Sequence, residues 1–217
     1  MTSENTSAAP VHVFINCPYS DDYEREFNAI ILTVLYFGFN PRSAMEDESS
    51  TLDRMSRIKG VLMESQYSVH DLSKIYADPA TGVARMNMPL ELGMAIGIGM
   101  LAANADDQGK THRWIAHLPQ DAKYRDAISD LNGSDLPHYD SREKLVFGLM
   151  KWLRKLPRCP RPDARPGPIW LLLDKYERRL SELKETEWRF GVPWDIRIDA
   201  ARELVGDYLQ EGSRARP

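Results

Sequence analysis

Apolar positions recur along this chain in two alternating rhythms, a short unbroken run followed by a longer run at helical spacing. Val11-His12-Val13-Phe14-Ile15-Asn16 is a compact β-rich run, the pattern of a strand covered on both faces. It stops at Cys17-Pro18-Tyr19-Ser20-Asp21-Asp22. There Asp21 or Asp22 is placed to cap a helix reaching about Phe37, with Tyr23, Phe27, Ile30, Ile31, Val34 and Leu35 on its inner side and Gly38 at its end. A second short strand is expected over Phe39 to Ala44. An acidic loop (Glu46 to Ser50), a helix from about Thr51 to Glu64 and a strand from Tyr67 to Ser73 follow. The loop Lys74 to Asn87 carries the turn signals Asp78-Pro79 and Thr81-Gly82 and has the length of a lid or rim. Met88 to Gly97 opens a helix rich in Gly, Ala and Met, a composition suited to burial close against a sheet. A polar break (Asn104 to Thr111), a strand (Arg113 to Leu118) and helices around Gln120 to Leu131 and Ser141 to Leu156 complete the series. Strands alternating with helices predict an α/β fold, an open parallel sheet of about four or five strands flanked by helices, flavodoxin-like in kind.

Pro157, Pro160, Pro162, Pro166 and Pro168 crowd the next segment, which reads as a stiff, extended linker. The expected organisation is therefore a disordered N-terminus (1–10), an α/β domain (11–156), a Pro-rich linker (157–168), a helical pair (169–211) and a tail (212–217). In the pair, Ile169, Leu173, Tyr176, Leu180 and Leu183 form one apolar seam, and a break at Gly191 to Pro193 precedes a last helix over about Asp195 to Gln210. That seam suits a structural appendage packed on the domain. The alternative is a contact with a second copy of the chain or with a partner protein.

Composition narrows the function classes. The formal net charge of −4 and pI near 5.8 argue against a general nucleic-acid binder, which would normally show a basic face, and leave only a local basic patch open. Cys17 and Cys159 lie far apart without a CxxC, so neither a disulfide framework nor a zinc signature is expected and a reducing cytoplasm fits. The polar first residues lack the basic and apolar regions of a signal peptide. The apolar runs are too short to span a bilayer, so a soluble protein without a membrane partner is expected.

In open α/β sheets ligands bind beyond the carboxyl ends of the strands. That edge should carry Asn16 to Ser20, Arg42, Asp71 to Ser73 and the start of the helix bearing Glu91. Pro89 suits a first helical position, which puts Glu91 in the first turn. A lone Glu there most often only complements the helix dipole; at the mouth of an apolar helix it also faces a cleft. No GxxxxGK[ST] loop and no GxGxxG fingerprint is present. His12, His70, His112, His117 and His138 show no HExxH spacing, so no metal is expected, and His70 reads as a packed core histidine. No GxSxG elbow frames Ser20 or Ser73. What remains is a carboxylate able to attack, or electrostatically support, an electron-poor sugar carbon as a glycosidic bond breaks. Arg42 is placed to meet a phosphate if the substrate is a nucleotide.

Three stretches, Phe14-Ile15-Asn16-Cys17-Pro18-Tyr19, His70-Asp71-Leu72-Ser73 and Asn87-Met88-Pro89-Leu90-Glu91-Leu92-Gly93, together resemble the nucleoside 2-deoxyribosyltransferase and TIR-like superfamily, and more narrowly a bacterial branch of it. The resemblance covers roughly Val11 to Leu156. It implies that Glu91 is catalytic, as nucleophile or ion partner, and that Asp71 handles the sugar or the base. Asn16, Pro18 and Tyr19, with Ser73, Asn87 and Met88, would line the substrate site. Two departures stand out. Asn87-Met88-Pro89-Leu90 replaces the Gly-Thr stretch of the deoxyribosyltransferases, and Asn16-Cys17-Pro18-Tyr19 replaces the Ser-Tyr pair of TIR domains. Three functions are implied: a glycosidase cleaving NAD as its substrate, with no cofactor and a role in bacterial defence; a deoxyribosyltransferase; or a nucleotide-sensing module whose C-terminal helices pass a signal to a partner.

Overall fold

The computed structural model describes residues 9–46, 52–77, 82–84, 86–104, 112–120, 131 and 136–214. The expected acidic loop after Glu46, both turn signals of the 74–87 loop except Gly82, most of the 104–111 break and the helix expected over Gln120 to Leu131 lie outside these residues, apart from their end positions. Strands β1 (His12–Asn16), β2 (Asn40–Ser43), β3 (Tyr67–Asp71), β4 (Arg113–Pro119) and β5 (His138–Tyr139) form one sheet in the order β2-β1-β3-β4-β5, every neighbouring pair parallel. This is the flavodoxin-like order, with its topological switch between β1 and β3. The α/β class expected from the alternating pattern is the class observed.

Each strand sends alternate side chains to opposite faces. Val13, Ile15, Tyr67, Val69 and Ile115 pack into one large core with α1 (Glu24–Tyr36), α4 (Arg142–Leu153), α5 (Gly167–Thr186) and α6 (Trp194–Arg214). Phe14, on the other face, meets Ile58 and Leu62 of α2 (Arg54–Glu64) and Ala95 of α3 (Asn87–Asn104).

Helix α1 departs from an amphipathic reading. Every residue from Phe27 to Tyr36 is buried, because α5 and α6 cover the face that looks away from the sheet. The whole seam expected on α5 is buried in that contact. The Pro-rich segment lies against the domain: Arg161 Nη2 donates to the Leu35 carbonyl at 3.2 Å, and Tyr67 Oη donates to the Pro157 carbonyl. Gly38, at φ +85° after α1, passes so close to Pro160 that an added Cβ would lie 2.9 Å from its Cβ.

Three local expectations are corrected. Neither Asp21 nor Asp22 caps α1; both fall within a 3₁₀ turn, Asp21–Tyr23, and Asp22 pairs with Lys74. Helix α3 begins at Asn87, two residues earlier than Pro89 suggested, and its first turn holds no acid. Pro89 still sits where no N–H is required, since the first helical bond is Leu90 N–H to the Met86 carbonyl at 3.0 Å. The same helix is not wholly buried: Leu92 and Ala95 face the sheet, whereas Leu90, Met100 and Leu101 are exposed. Gly99 is where the helix comes close to its neighbour: a Cβ there would lie 2.9 Å from the His112 carbonyl oxygen.

Candidate active site

The carboxyl ends of β1 and β3 and the first two turns of α3 meet at the switch point, where ligands bind in this architecture. Strand β1 contributes Asn16 and then Cys17, Pro18 and Tyr19, of which the first three are buried. The Tyr19 ring is 37 % exposed and packs edge-on against Phe27, with centroids 5.4 Å apart. Its hydroxyl donates to the Ile15 carbonyl at 3.3 Å and shares a 3.0 Å hydrogen bond with Ser43 Oγ at the end of β2. The ring is thereby held upright at the rim.

Glu91, one turn into α3, is 4 % exposed, and its Oε2 has no hydrogen-bond partner among the described residues. Burial pushes its carboxyl up to about 7, against a lowering by Arg54 at the start of α2. It faces the β1 loop: its charge, with that of Asp71, adds to burial in raising the Cys17 thiol, and it also raises the Tyr19 phenol. A buried carboxyl oxygen with no hydrogen-bond partner among the described residues is unusual in a core, where polar groups are ordinarily satisfied, and common where a ligand is to be met.

Asp71 is 1 % exposed and occupies the opposite face of the sheet from α3. Its Oδ1 accepts the Ser73 N–H at 2.9 Å, while Tyr23, Tyr139 and Ser73 bring hydroxyls close to the carboxyl. Burial raises its pKa and those hydroxyls oppose the shift. Cys17 lies between the two acids and feels both. Both buried carboxyls thus stand at one sheet edge but in different layers, Glu91 under α3 and Asp71 under α1 and β5.

Asn16 is buried with both amide hydrogens engaged, one on His70 Nδ1 and one on the Met88 carbonyl, each at 2.9 Å. His70 is a core histidine, as its mid-strand position suggested, and burial drops its pKa to about 3. Met88 is buried at the start of α3, Asn87 is exposed beside it, and Ser73 is half-buried at the β3 turn. Arg42 does not join the group. Its Nε donates to Glu46 at 2.6 Å and its terminal nitrogens to Glu64 at 3.1 and 3.2 Å, so the guanidinium is occupied by carboxylates. It lines instead a groove of about 830 Å³ between β2 and the start of α6, shared with Phe190, Trp194 and Arg202.

Arg54, Ser43 and Cys17 belong to the site and had no distinct sequence signal. Arg54 lies near the start of an expected helix with nothing to mark it, Ser43 follows a Pro and an Arg in a short strand, and a lone Cys carries no motif. Among the described residues no cluster of His, Cys, Asp or Glu is arranged to hold a metal ion, and no helix is long and apolar enough to cross a membrane.

No family model matches this chain, and no curated protein sequence matches it. Among solved structures, the TIR domains of the activated Roq1 resistosome directly recognizing the pathogen effector XopQ align with 90 % of this chain and 84 % of their own, at 12 % identity and a TM-score of 0.34. A likeness of that size carries no argument about activity. The fold defines the class: an open parallel α/β sheet with a buried glutamate at its switch point, one oxygen of which has no hydrogen-bond partner among the described residues.

Proposed function

We propose that this chain is a nucleotide-directed N-glycosidase that cleaves NAD, with Glu91 as the group that stabilises or traps the ribosyl cation. The observation that carries the reading is the Glu91 carboxyl, buried at the switch point with one oxygen unpartnered among the described residues. As the bond from C1′ to the base nitrogen breaks, its electron pair leaves with the base and positive charge spreads over C1′ and the ring oxygen. A carboxylate fixed in a low-dielectric site favours that charge distribution over the neutral ground state of the sugar. Water then adds to C1′ and releases a proton. A pyridinium base leaves as a neutral molecule and needs no proton, so Asp71, on the opposite face of the sheet from α3, is not required for that step. The cationic base also draws the Glu91 proton off on binding, since a positive charge nearby favours the carboxylate. Tyr19, rigid at the rim, offers a ring face to the substrate. NAD as the substrate and a role in bacterial defence are what the resemblance of the three sequence stretches around Asn16, Asp71 and Glu91 implies.

The test is base release, read by mass spectrometry, from NAD, ribonucleotides and deoxynucleosides with the native chain and with Glu91→Gln. Free nicotinamide from NAD with the native chain and none with the variant supports the proposal. Base exchange in the presence of a second base would replace hydrolysis with transfer. Saturable binding without turnover at high protein concentration would overturn the enzymatic reading in favour of a sensor.

A further inference from the structure

An unbroken line of hydrogen bonds crosses the α3 face of the sheet from the candidate site to the opposite edge. The Met88 carbonyl accepts from Asn16 Nδ2 at 2.9 Å, and the same amide meets His70 Nδ1 at 2.9 Å. His70 Nε2 meets Ser68 Oγ at 2.8 Å, and Ser68 Oγ meets His112 Nε2 at 2.8 Å. His112 Nδ1 meets the Ser65 carbonyl at 2.9 Å, at the C-terminal end of α2. All five side chains or caps are buried.

Every proton in this line is fixed by its two ends. A carbonyl only accepts, so the Met88 oxygen requires the NH₂ side of Asn16, which makes His70 Nδ1 an acceptor and His70 Nε2 the donor to Ser68. From the far end, the Ser65 oxygen requires a proton on His112 Nδ1, which leaves Nε2 to accept from Ser68. The two assignments agree at Ser68, which accepts from one histidine and donates to the other. The reverse His70 tautomer would turn an N–H toward Asn16. The amide would then have to flip, setting its oxygen against the Met88 carbonyl.

We infer that Asn16, His70 and Ser68 are positioning residues, whose single permitted hydrogen-bond direction pins the first turn of α3 and so aims the carboxylate of Glu91. This rests on the proposed function for its catalytic consequence and on geometry alone for its structural one. Asn16 accordingly acts through Met88 instead of donating to substrate, because both of its amide hydrogens are spent.

Ser68→Ala removes the join between the two histidines without touching the site, and Ser68→Cys is the milder second variant should the first fail to fold. Hydrogen exchange over residues 87–92 and NAD cleavage are measured on both, in the full chain, with Ser68→Thr as the variant that keeps the hydroxyl. Expected are exchange in the first turn of α3 at least tenfold faster, a kcat lowered about tenfold with KM within twofold, and recovery of both in Ser68→Thr. Unchanged exchange at that turn in a folded variant overturns the inference, whatever the activity. Faster exchange with native kcat overturns the catalytic half. Faster exchange in a chain whose native form releases no base upholds the positioning and rejects the proposed function separately.

Discussion

Glu91 is the residue at which function and stability oppose each other. Its carboxyl loses its proton near pH 4.5 in the unfolded chain and near 7 in the folded one, so across that window the folded state holds a proton that the unfolded state has released. Stability contributed by this group is therefore highest at low pH and declines as pH rises through 7, where a buried, unpaired carboxylate costs about 3 kcal/mol relative to its neutral form. Glu91→Gln should raise the melting temperature at pH 8 and leave it nearly unchanged at pH 4.5, a difference that thermal unfolding at the two pH values reads directly. The same substitution should lower NAD cleavage by at least about 10²-fold. In the native chain kcat/KM should rise with pH along a limb centred near 7, because the ionised form is the one that supports the ribosyl cation; a pH profile over 5.5 to 8.5 checks it. A flat profile together with an unaltered melting temperature in the variant would remove Glu91 from both roles.

At the scale of elements, α3 shows why small residues were placed in an otherwise apolar helix. Gly99 lies over the His112 carbonyl, which leaves no room for a side chain. Gly99→Ala should push the end of α3 off β4 and cost about 1–3 kcal/mol, measurable by denaturant unfolding, despite the better helix propensity of alanine. Asp53→Ala, by contrast, removes an exposed cap whose carboxylate accepts from Ser56 N–H at 3.0 Å, and should lower the denaturant midpoint less than Gly99→Ala does. Elements were legible where their periodicity was local. β1 and β4 hold short apolar runs, β3 alternates Tyr67 and Val69 with polar residues, and the α5 seam recurs at helical steps, so their existence and type followed from the sequence. The start of α3 was misread because Pro89 is equally at home at any of the first helical positions, and only the Leu90 to Met86 bond settles which. The two-residue β5 carries no period at all. Glu91 was legible through its setting before an apolar helix, and Asn16 through its place at a strand end. What hid the rest was distance in the chain: Arg42 looks free until Glu64 folds onto it, and the direction of the Asn16 amide is set by the Met88 carbonyl, far along the sequence.

On the scale of the whole molecule, three buried histidines act together. His70, His112 and His117 are all held neutral by burial, with His70 near 3 and His117 near 4, so between about pH 6.5 and those values the unfolded chain binds protons that the folded chain refuses. Stability from these groups is present above pH 6.5 and is lost as the pH falls, so the melting temperature should drop steadily from pH 7 to 5. Glu91 works in the opposite sense over much of that range, and the drop should be steeper in Glu91→Gln.

The C-terminal helices decide whether the chain has one core or two. Arg197 of α6 is 5 % exposed, donates to Glu24 at 2.9 Å and to Asn28, and lies over the Phe27 ring, 5.6 Å from its centroid. Lys184 of α5 donates to the other Glu24 oxygen at 2.5 Å, and Trp194 stacks on Phe27 at 6.0 Å. Phe27 in turn supports the Tyr19 ring at the candidate site. A chain ending at residue 156 would uncover the face of α1 that α5 and α6 bury and would leave Asn28 facing water from an apolar surface. Exposure of that continuous apolar face favours aggregation over a stable domain. The shortened chain is expected to lack a cooperative thermal transition and to bind a hydrophobic dye, with no NAD cleavage. In the full chain, Trp194→Ala should stay folded and raise KM several-fold by freeing Tyr19. A shortened chain that unfolds cooperatively and keeps native KM would show instead that the helices are an attachment to a self-sufficient domain.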